Sequence, residues 1–481
     1  MTEKGPNGID TSCLLGIQEE MVKFGTAREF KLKGNPFSYM TSAEQAIEAK
    51  KLAAQLLYKL HNFGCKLLVS SDLAMTNDLT TWIFHREQTV AAQFNFACIG
   101  VSSSDSLQLI NFSSGMNEML KGIVERNWPQ EIQKTKLIGD TLEIKLRGNP
   151  WRQFTGGASE NIQSRTLIKA LINELDMKQW ILYGSSNLRA TADTLFFKYD
   201  PAVAADGSRI AGFVLSLNKN DRLRCVDAPK DATNCVKKMI VQSWVRGVQE
   251  EKQNYNAYEF KLKGTPWWAD GKMAVDSRLL ICKIFEGLWS IGWRPQIAIG
   301  LSRNTDDKSI VTFQRTTPMS VPIFCLSLIW TDKIRVINAP SDVINAIVAE
   351  VRRLWLFGIS SEGVYGASFE MKLSQNPWTY GMTGHDGAHG RVLLLYLLKL
   401  LASMGWFLII SADVSAKWVH QENCPDYPID VHSWWFMKAS APSQGFAPAP
   451  PPFEATQFGM QGQGFSAFRT APPSYAEVNK M

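Results

Sequence analysis

The sequence lacks the short motifs that commonly mark a catalytic site. It has no Gly-x-Ser-x-Gly nucleophile elbow, no phosphate-binding loop of the Gly-x4-Gly-Lys-Ser/Thr type and no His-Glu-x2-His zinc helix. Chemistry that depends on one of these motifs is excluded. Whether the chain is an enzyme stays open at this point, and a non-enzymatic function is favoured.

The chain also lacks a concentrated positive charge. Lys and Arg (51) exceed Asp and Glu (45) by a formal +6, and no run contains five or more basic residues. An excess that is spread along the chain does not predict a tract for binding polyanions. We therefore expect no specific nucleic-acid partner.

Paired cysteines and an export signal are absent as well. The eight cysteines are scattered singly, without a Cys-x-x-Cys pair, which is typical of reduced, buried thiols in a cytosolic protein. The residues after Met1 do not lead through a charged region into an apolar core, so no signal peptide is expected. These absences predict a cytoplasmic protein.

One apolar stretch has the length of a membrane span. Val392 to Ala412 is nearly all apolar over 21 residues and is interrupted by Lys399 and Ser403. In the other copies of the repeat described next, the corresponding stretch is a helix, a break and a strand. We therefore expect no transmembrane segment.

What the sequence does contain is an internal repeat. Four segments share the pattern of a glutamate, alternating apolar and basic residues, and a Pro-aromatic pair. They are 29–37, 143–151, 259–267 and 370–378. In the last three copies a tryptophan (Trp128, Trp244 or Trp355) precedes the glutamate by 15 residues. Agreement at so many positions indicates four tandem, divergent copies of one unit.

Each copy is predicted to be an α+β unit of the order α-β-α-β-β-β-β, with the last copy truncated. Apolar residues at three- and four-residue spacing predict its helices, and strict alternation predicts its strands. We expect a two-layer sandwich with helices on the apolar face of a mainly antiparallel sheet. The predicted boundaries are 1–111, 112–228, 229–340 and 341–438, followed by a disordered Pro/Gly/Gln-rich tail at 439–481.

The first two strands of each copy flank a helix. This order predicts parallel neighbours joined by a right-handed crossover. The Asn-Pro-Trp loop and the Ser-Asp turn that follow these strands would then meet at one edge of the sheet, where ligands of α/β sheets often bind.

Basic residues recur on the first strand of each copy. They are Lys31, Lys33, Lys145, Arg147, Lys261, Lys263 and Lys372. Such a face is a candidate for binding an anionic lipid or an acidic protein surface. The alternative is a solvated face whose charges pair with the repeated glutamates.

The Pro-aromatic pair also recurs, as Pro36-Phe37, Pro150-Trp151, Pro266-Trp267 and Pro377-Trp378. An exposed aromatic after a turn would suit binding at an interface. The favoured interpretation is that each aromatic closes the end of its own core.

Histidines concentrate in the fourth copy. His385, His389, His420 and His432 lie there, together with Cys424. Imidazole nitrogens and a thiolate are ligands that zinc prefers. If the loops that carry these residues converge, they could hold one zinc ion. No other cofactor is expected.

The tail carries the sharpest motif of the chain. Pro472-Pro473-Ser474-Tyr475 resembles the Pro-Pro-x-Tyr ligand of WW domains, which occur as a class in HECT-type ubiquitin ligases and signalling adaptors. A polyproline II segment presents its prolines to an aromatic groove at low entropic cost. The resemblance implies a WW-domain partner.

Together these features favour a non-enzymatic intracellular scaffold or adaptor, with the repeats as a platform and the tail as a recruitment arm. Two alternatives are kept. One is a peripheral protein that binds anionic lipid, and the other is a metal-binding or enzymatic protein with its site in the fourth copy.

Overall fold

A computed structural model describes most of the chain before residue 440. The described residues are 16–23, 27–38, 40–73, 80–87, 94–102, 104–151, 158–189, 192–205, 207, 211–301, 308–378, 385–415, 417–419, 427–428 and 430–439. They belong to one compact body, Met1–Gly445, and the second body, Phe446–Met481, contains none of them. The predicted disordered tail and its Pro-Pro-Ser-Tyr motif therefore lie outside the described residues.

The described residues fold into four similar units. Unit 1 (17–86) contains β1 (Ile17–Lys23), β2 (Ala27–Leu32), α1 (Ala43–Asn62), β3 (Cys65–Asp72) and β4 (Thr80–Arg86). Unit 2 (95–199) contains β5 (Asn95–Ser102), β6 (Ser106–Ile110), α2 (Ser114–Asn127), β7 (Ile132–Ile138), β8 (Thr141–Leu146), α3 (Ala158–Asp176), β9 (Trp180–Ser186) and β10 (Thr194–Tyr199).

The remaining two units repeat the order of unit 2. Unit 3 (211–315) contains β11 (Ala211–Asn218), β12 (Arg222–Val226), α4 (Lys230–Ser243), β13 (Val248–Asn254), β14 (Ala257–Leu262), the 3-10 helix Pro266–Trp268, α5 (Gly271–Ser290), β15 (Trp293–Ile299) and β16 (Ile310–Arg315). Unit 4 (323–438) contains β17 (Ile323–Ile329), β18 (Lys333–Ile337), α6 (Ser341–Leu354), β19 (Ile359–Tyr365), β20 (Ser368–Leu373), α7 (His385–Ser403), β21 (Trp406–Ala412), β22 (Trp418–Val419), β23 (Tyr427–Pro428) and β24 (Ser433–Lys438).

Units 2, 3 and 4 each form one six-stranded antiparallel sheet. The strand orders are β7-β8-β6-β5-β10-β9, β13-β14-β12-β11-β16-β15 and β19-β20-β18-β17-β24-β21. In unit 1 the described strands form two separate pairs, β1-β2 and β3-β4. The leading hairpin that occupies the middle of the other sheets has no counterpart among its described residues.

The repeated glutamate segment forms the second strand of a hairpin, and its alternation explains why. In β8 the apolar Leu142, Ile144 and Leu146 are buried, whereas Glu143 and Lys145 between them are half-buried on the other face. The chain then turns at a left-handed residue. Gly148 and Gly264 have φ of +83° and +84° there, a conformation that glycine adopts without strain.

Each pair of helices packs between two sheets. Helices α2 and α3 share one core with the sheet of unit 2 and with Val214 and Val226 of unit 3. Helices α4 and α5 lie in the same way between units 3 and 4, and α6 and α7 between unit 4 and strands β3 and β4 of unit 1. Helix α1 completes the cycle by packing on unit 2. Four head-to-tail contacts of this kind close a ring.

The mixed α+β repeat with helices packed on an antiparallel sheet is confirmed, and two details are corrected. The strands before and after the second helix, such as β8 and β9, are not parallel neighbours, because a hairpin and β10 stand between them. A further strand occupies the predicted polar loop. In β13 this strand is polar on both faces, Val-Gln-Glu-Glu-Lys-Gln-Asn, because it lies at the edge of its sheet.

The predicted repeat boundaries at 111/112, 228/229 and 340/341 each fall inside one of these sheets. Each boundary lies between the leading hairpin of a unit and its first helix. The structural unit is therefore displaced from the predicted repeat by one hairpin. The sequence analysis assigns that hairpin to the end of one copy. In the structure it pairs with the strands of the following copy.

The apolar stretch from Val392 to Ala412 forms the greater part of α7 and then β21. Among the described helices, none combines the length and apolarity needed to cross a membrane. The stretch thus forms the helix and the strand that the repeat alignment predicts.

Candidate functional site

The four units meet at the inner edge strands β3, β9, β15 and β21. Each of these strands contacts the next one around the ring, and β21 contacts β3. One backbone hydrogen bond crosses each junction at the end of these strands. The four bonds are Thr80 N to Asn187 O (3.3 Å), Asp193 N to Gly300 O (2.7 Å), Ser309 N to Asp413 O (3.0 Å) and His432 N to Asp72 O (3.1 Å). We call these eight residues the axial junction.

The eight residues occupy two equivalent positions of the unit. The acceptors end or follow the inner strand, and the donors precede or open the strand that pairs with it, as the strand registers show. Aspartate, asparagine and serine favour such turns because their side chains bind nearby backbone groups. The predicted Ser-Asp turn is thus the element that joins each unit to its neighbour.

The junction between units 4 and 1 is held by buried polar side chains. Ser71 Oγ accepts hydrogen bonds from Trp434 Nε1 and from Ser411 Oγ, both at 2.9 Å. His432 Nδ1 lies 3.2 Å from Ser411 Oγ. These contacts join residues that are up to 363 positions apart, so they close the ring between its first and last units.

Ser411, His432 and Asp72 have the composition of a nucleophilic triad but not its geometry. Ser411 Oγ donates to Ser71 Oγ, so its proton is not directed at His432 Nδ1, as it would be toward a general base. His432 Nε2 lies 3.8 Å from Asp72 Oδ2, which is beyond hydrogen-bond distance. Burial lowers the pKa of His432 to about 4 and keeps its ring neutral. This arrangement fits a structural role.

A similar polar contact joins units 1 and 2. Ser186 Oγ accepts a hydrogen bond from Trp82 Nε1 at 2.7 Å and lies 2.8 Å from Ser70 Oγ. Around the other two junctions, Leu195 and Val311 occupy the position of these tryptophans. At this one position both junctions of unit 1 therefore carry an indole hydrogen bond, whereas the other two carry an aliphatic side chain.

Asp193 ties unit 2 to unit 3. Its Oδ2 accepts hydrogen bonds from Gly300 N (2.8 Å) and Ser185 Oγ (2.7 Å). Burial raises the pKa of Asp193 to about 6, and the nearby Asp72 adds to this while His432 opposes it.

This pKa predicts a pH dependence of stability. Between its ordinary pKa of 3.8 and about 6, Asp193 keeps a proton in the folded protein that the unfolded chain has released. The stabilisation is present below pH 3.8 and is lost as the pH rises through 6. We expect Asp193→Asn to be more stable than the native protein at pH 7, by roughly 1–3 kcal/mol.

Urea titrations of both proteins at pH 4 and pH 7 measure this difference. Asp342→Asn, on the exposed first turn of α6, serves as the control and should show no comparable gain at pH 7. A difference between native protein and Asp193→Asn that is equal at both pH values would contradict the prediction.

The junction between units 3 and 4 encloses a buried cluster of charges. Arg278 on α5 pairs with Asp430, and both side chains are 1% exposed. Burial raises the pKa of Asp413, and the neighbouring Asp430 raises it further. Lys308 donates to Lys219 O at 2.7 Å and opposes this effect on Asp413.

Arg278 belongs to a position that carries a cation in every unit. The equivalent residues on the second helices are Lys50, Arg165 and Arg391. Lys50 is buried and donates to Gln108 of unit 2 at 2.9 Å, and burial lowers its pKa to about 8. These cations were not among the predicted site residues, although their recurrence at one helix position was visible in the sequence.

Two of the repeated glutamates, Glu259 and Glu370, pair with basic residues of the leading hairpin of their unit. Glu259 is buried and pairs with Arg222 and Arg224 of β12. Burial alone would raise the pKa of Glu259, but these two guanidinium groups lower it. Glu370 pairs in the same way with Lys333 (3.0 Å) and Arg335 (2.6 Å) of β18.

The predicted basic residues differ in their surroundings. Lys145 and Lys372 lie 3.6 and 3.7 Å from Asp105 and Asp332. Arg147 lies 3.9 Å from Glu131. Lys31, Lys33 and Lys263 are exposed, and Lys261 is half-buried.

The predicted zinc ligands are only partly described. His389 packs edge-on against Phe357, with ring centroids 5.9 Å apart, whereas His432 lies in the axial junction. Among the described residues, no three His, Cys, Asp or Glu side chains are grouped for metal binding. His420 and Cys424 lie outside the described residues, and so does the side chain of His385.

The Pro-aromatic tryptophans close their own cores, as the favoured interpretation predicts. Trp151, Trp267 and Trp378 are fully buried. Trp267 Nε1 and Trp378 Nε1 donate to backbone carbonyls of the leading hairpin, Arg222 O at 3.0 Å and Lys333 O at 3.2 Å. They are therefore structural anchors and not exposed binding residues.

One protein-family model, which describes a domain, matches the chain four times. The matched residues are 6–85, 95–198, 212–314 and 322–437. These limits agree with the four structural units. No curated protein and no solved structure shows significant similarity to the chain.

Proposed function

We propose that this chain, which belongs to the family whose domain it carries in four copies, is a non-enzymatic scaffold or adaptor of the cytoplasm. The ring serves as the platform. The Pro472-Pro473-Ser474-Tyr475 motif recruits a protein with a WW domain.

The observation that carries the scaffold proposal is the closure of four like units through the axial junction. In an open array each unit contacts only its neighbours and the ends are free. Here each described unit is held on two sides, so the outer surfaces of the four units keep a constant spacing. A platform that presents several partners at defined distances needs this rigidity.

The tail motif supports the recruitment proposal through its chemistry. Prolines hold the backbone near φ −65°, so a polyproline II ligand loses little entropy when it binds. The tyrosine ring adds a large apolar surface and a hydroxyl for hydrogen bonding. Removal of the tyrosine side chain should therefore remove most of the affinity for a WW domain.

The test measures binding of the full-length chain to a panel of purified WW domains by fluorescence anisotropy. We expect Tyr475→Ala to weaken binding at least about tenfold, since anchoring aromatics carry most of the energy in small interfaces. The matched control is Tyr255→Ala, which removes an exposed tyrosine from the turn between β13 and β14. Equal binding by the native protein and Tyr475→Ala, or no binding to any domain, would contradict the recruitment proposal.

The anionic-lipid alternative requires basic side chains that are available to phosphate groups. Lys145, Arg147 and Lys372 already lie near carboxylates. Flotation with liposomes of acidic lipid tests this alternative directly. Flotation that depends on Lys31 and Lys33, which are exposed, would replace the scaffold proposal with a membrane function.

A further inference from the structure

In the part of the chain that the structure describes, the sheet of unit 1 lacks its two middle strands. In units 2, 3 and 4 the leading hairpin stands in the middle, where its two strands pair with the strands on either side. Within the described residues, β2 pairs only with β1, and β4 pairs only with β3. The two strand pairs of unit 1 therefore present edges where the other units have a hairpin.

The strand β4 corresponds to β10, β16 and β24. Each of these three strands binds the first strand of a leading hairpin. β10 does so along its whole length, from Thr194 to Tyr199, and β16 and β24 do so over most of theirs. An unpaired strand edge offers backbone donors and acceptors to another chain. The edge of β4 thus has the geometry for one further antiparallel strand.

The helix above this gap is α7 of unit 4. Its counterparts α1, α3 and α5 pack on the leading hairpin of the following unit. Leu395 of α7 is 44% exposed, whereas the equivalent Ala54 and Cys282 are 1% and 0% exposed beneath such a hairpin. Val392 and Tyr396 beside it are also exposed. In α3 the equivalent residue is Lys169, which pairs with Asp227 at the end of the hairpin. The exposed face of α7 therefore lies where α1, α3 and α5 each contact a leading hairpin.

The residue of α7 that would hold the start of a leading hairpin differs in charge from its counterparts on α3 and α5. Asn173 of α3 binds both backbone groups of Ala211, and Glu286 of α5 accepts from Ile323 N, so both hold the start of a leading hairpin. Lys399 occupies this position on α7 and is exposed. An ammonium group there favours a carbonyl or a carboxylate at the start of the incoming strand.

We propose that this gap, which we call the hairpin slot, binds an aliphatic β-hairpin of another protein. The first strand of this hairpin pairs antiparallel with β4. Its aliphatic side chains cover Val392, Leu395 and Tyr396, and an acidic residue at its start meets Lys399. The proposal names a second interaction surface that does not depend on the Pro-Pro-Ser-Tyr motif.

This partner chemistry follows from the three hairpins that fill the equivalent positions. They place apolar residues such as Val214 against the helices of the preceding unit. Binding by strand addition combines backbone hydrogen bonds for affinity with side-chain contacts for specificity. An exposed apolar helix face beside an open strand edge supplies both parts.

The experiment uses the full-length chain and a labelled peptide that copies residues 211–226, with Cys225→Ser to avoid oxidation. This peptide is the leading hairpin of unit 3 and serves as the probe. Binding is measured by fluorescence anisotropy and by hydrogen exchange of the β4 amides. We expect saturable binding and slower exchange at Ile83 and Phe84.

Leu395→Glu should weaken this binding about tenfold or more, since it places a charge against the apolar face of the peptide. The matched control is Val241→Glu, an exposed apolar position on α4 outside the slot. On the peptide side, Val214→Asp should abolish binding. Because Leu395 is exposed, the variant is expected to fold, and an unchanged melting temperature checks this.

Two results would overturn the proposal directly. One is that the peptide does not bind, and the other is that the native protein and Leu395→Glu bind it equally well. Concentration-dependent dimers that Leu395→Glu dissolves would assign the slot to a second copy of the chain. Competition by a peptide of residues 440–481 would assign it to the chain's own C-terminal segment.

Discussion

Arg278→Met should lower the free energy of unfolding by about 3–5 kcal/mol, as expected when one partner of a buried ion pair is removed. The substitution leaves Asp430 in the interior without its guanidinium partner. Burial raises the pKa of Asp430, so a negative charge left there without Arg278 is costly. Chemical denaturation at neutral pH measures the effect.

Two comparisons separate this cost from a loss of packing. Arg315→Met removes an arginine whose pair with Asp231 at 3.3 Å is exposed, so it should cost less than 1 kcal/mol. The double variant Arg278→Met with Asp430→Leu should recover much of the loss, because neither charge of this pair is then left buried without its partner. A cost for Arg278→Met as small as that for Arg315→Met would contradict the assignment of this pair as a buried anchor.

The repeat and its fold class could be predicted because they depend on local patterns. Alternating Glu-Phe-Lys-Leu and three-to-four spacing report which face of a strand or helix is buried. The edge strand β13 could not be recognised in this way, because a strand exposed on both faces needs no apolar alternation. The predicted repeat boundaries differ from the structural units by one hairpin for a similar reason. The sequence pattern of a hairpin is the same whether it pairs with the strands before it or with those after it.

The candidate site was predicted less completely, for a physical reason. The Ser-Asp turn was recognised as a turn, but its partners come from a different unit in each case. Arg278 and Asp430 are 152 positions apart, and Ser71 and Trp434 are 363 apart. No local pattern reports such pairs. The ring emerges only when the rotation between successive units returns the last unit to the first.

Trp434→Ala tests this closure and should cost about 3–5 kcal/mol, as large-to-small substitutions of buried aromatic residues do. The substitution leaves a cavity between unit 4 and unit 1 and removes the hydrogen bond to Ser71. Trp435→Ala is the matched control. Trp435 is equally buried but points to the opposite face of β24, into the core shared with α5 of unit 3.

Native-state hydrogen exchange distinguishes a ring from an open array, because a local loss of packing raises exchange in the elements that share the damaged core. In a ring, Trp434→Ala accelerates exchange in β3 at Val69 to Ser71, although these residues lie far away in sequence. Trp435→Ala accelerates exchange in α5 instead. In an open array, unit 1 would exchange at the native rate in both variants, and the closure inferred from the axial junction would be wrong.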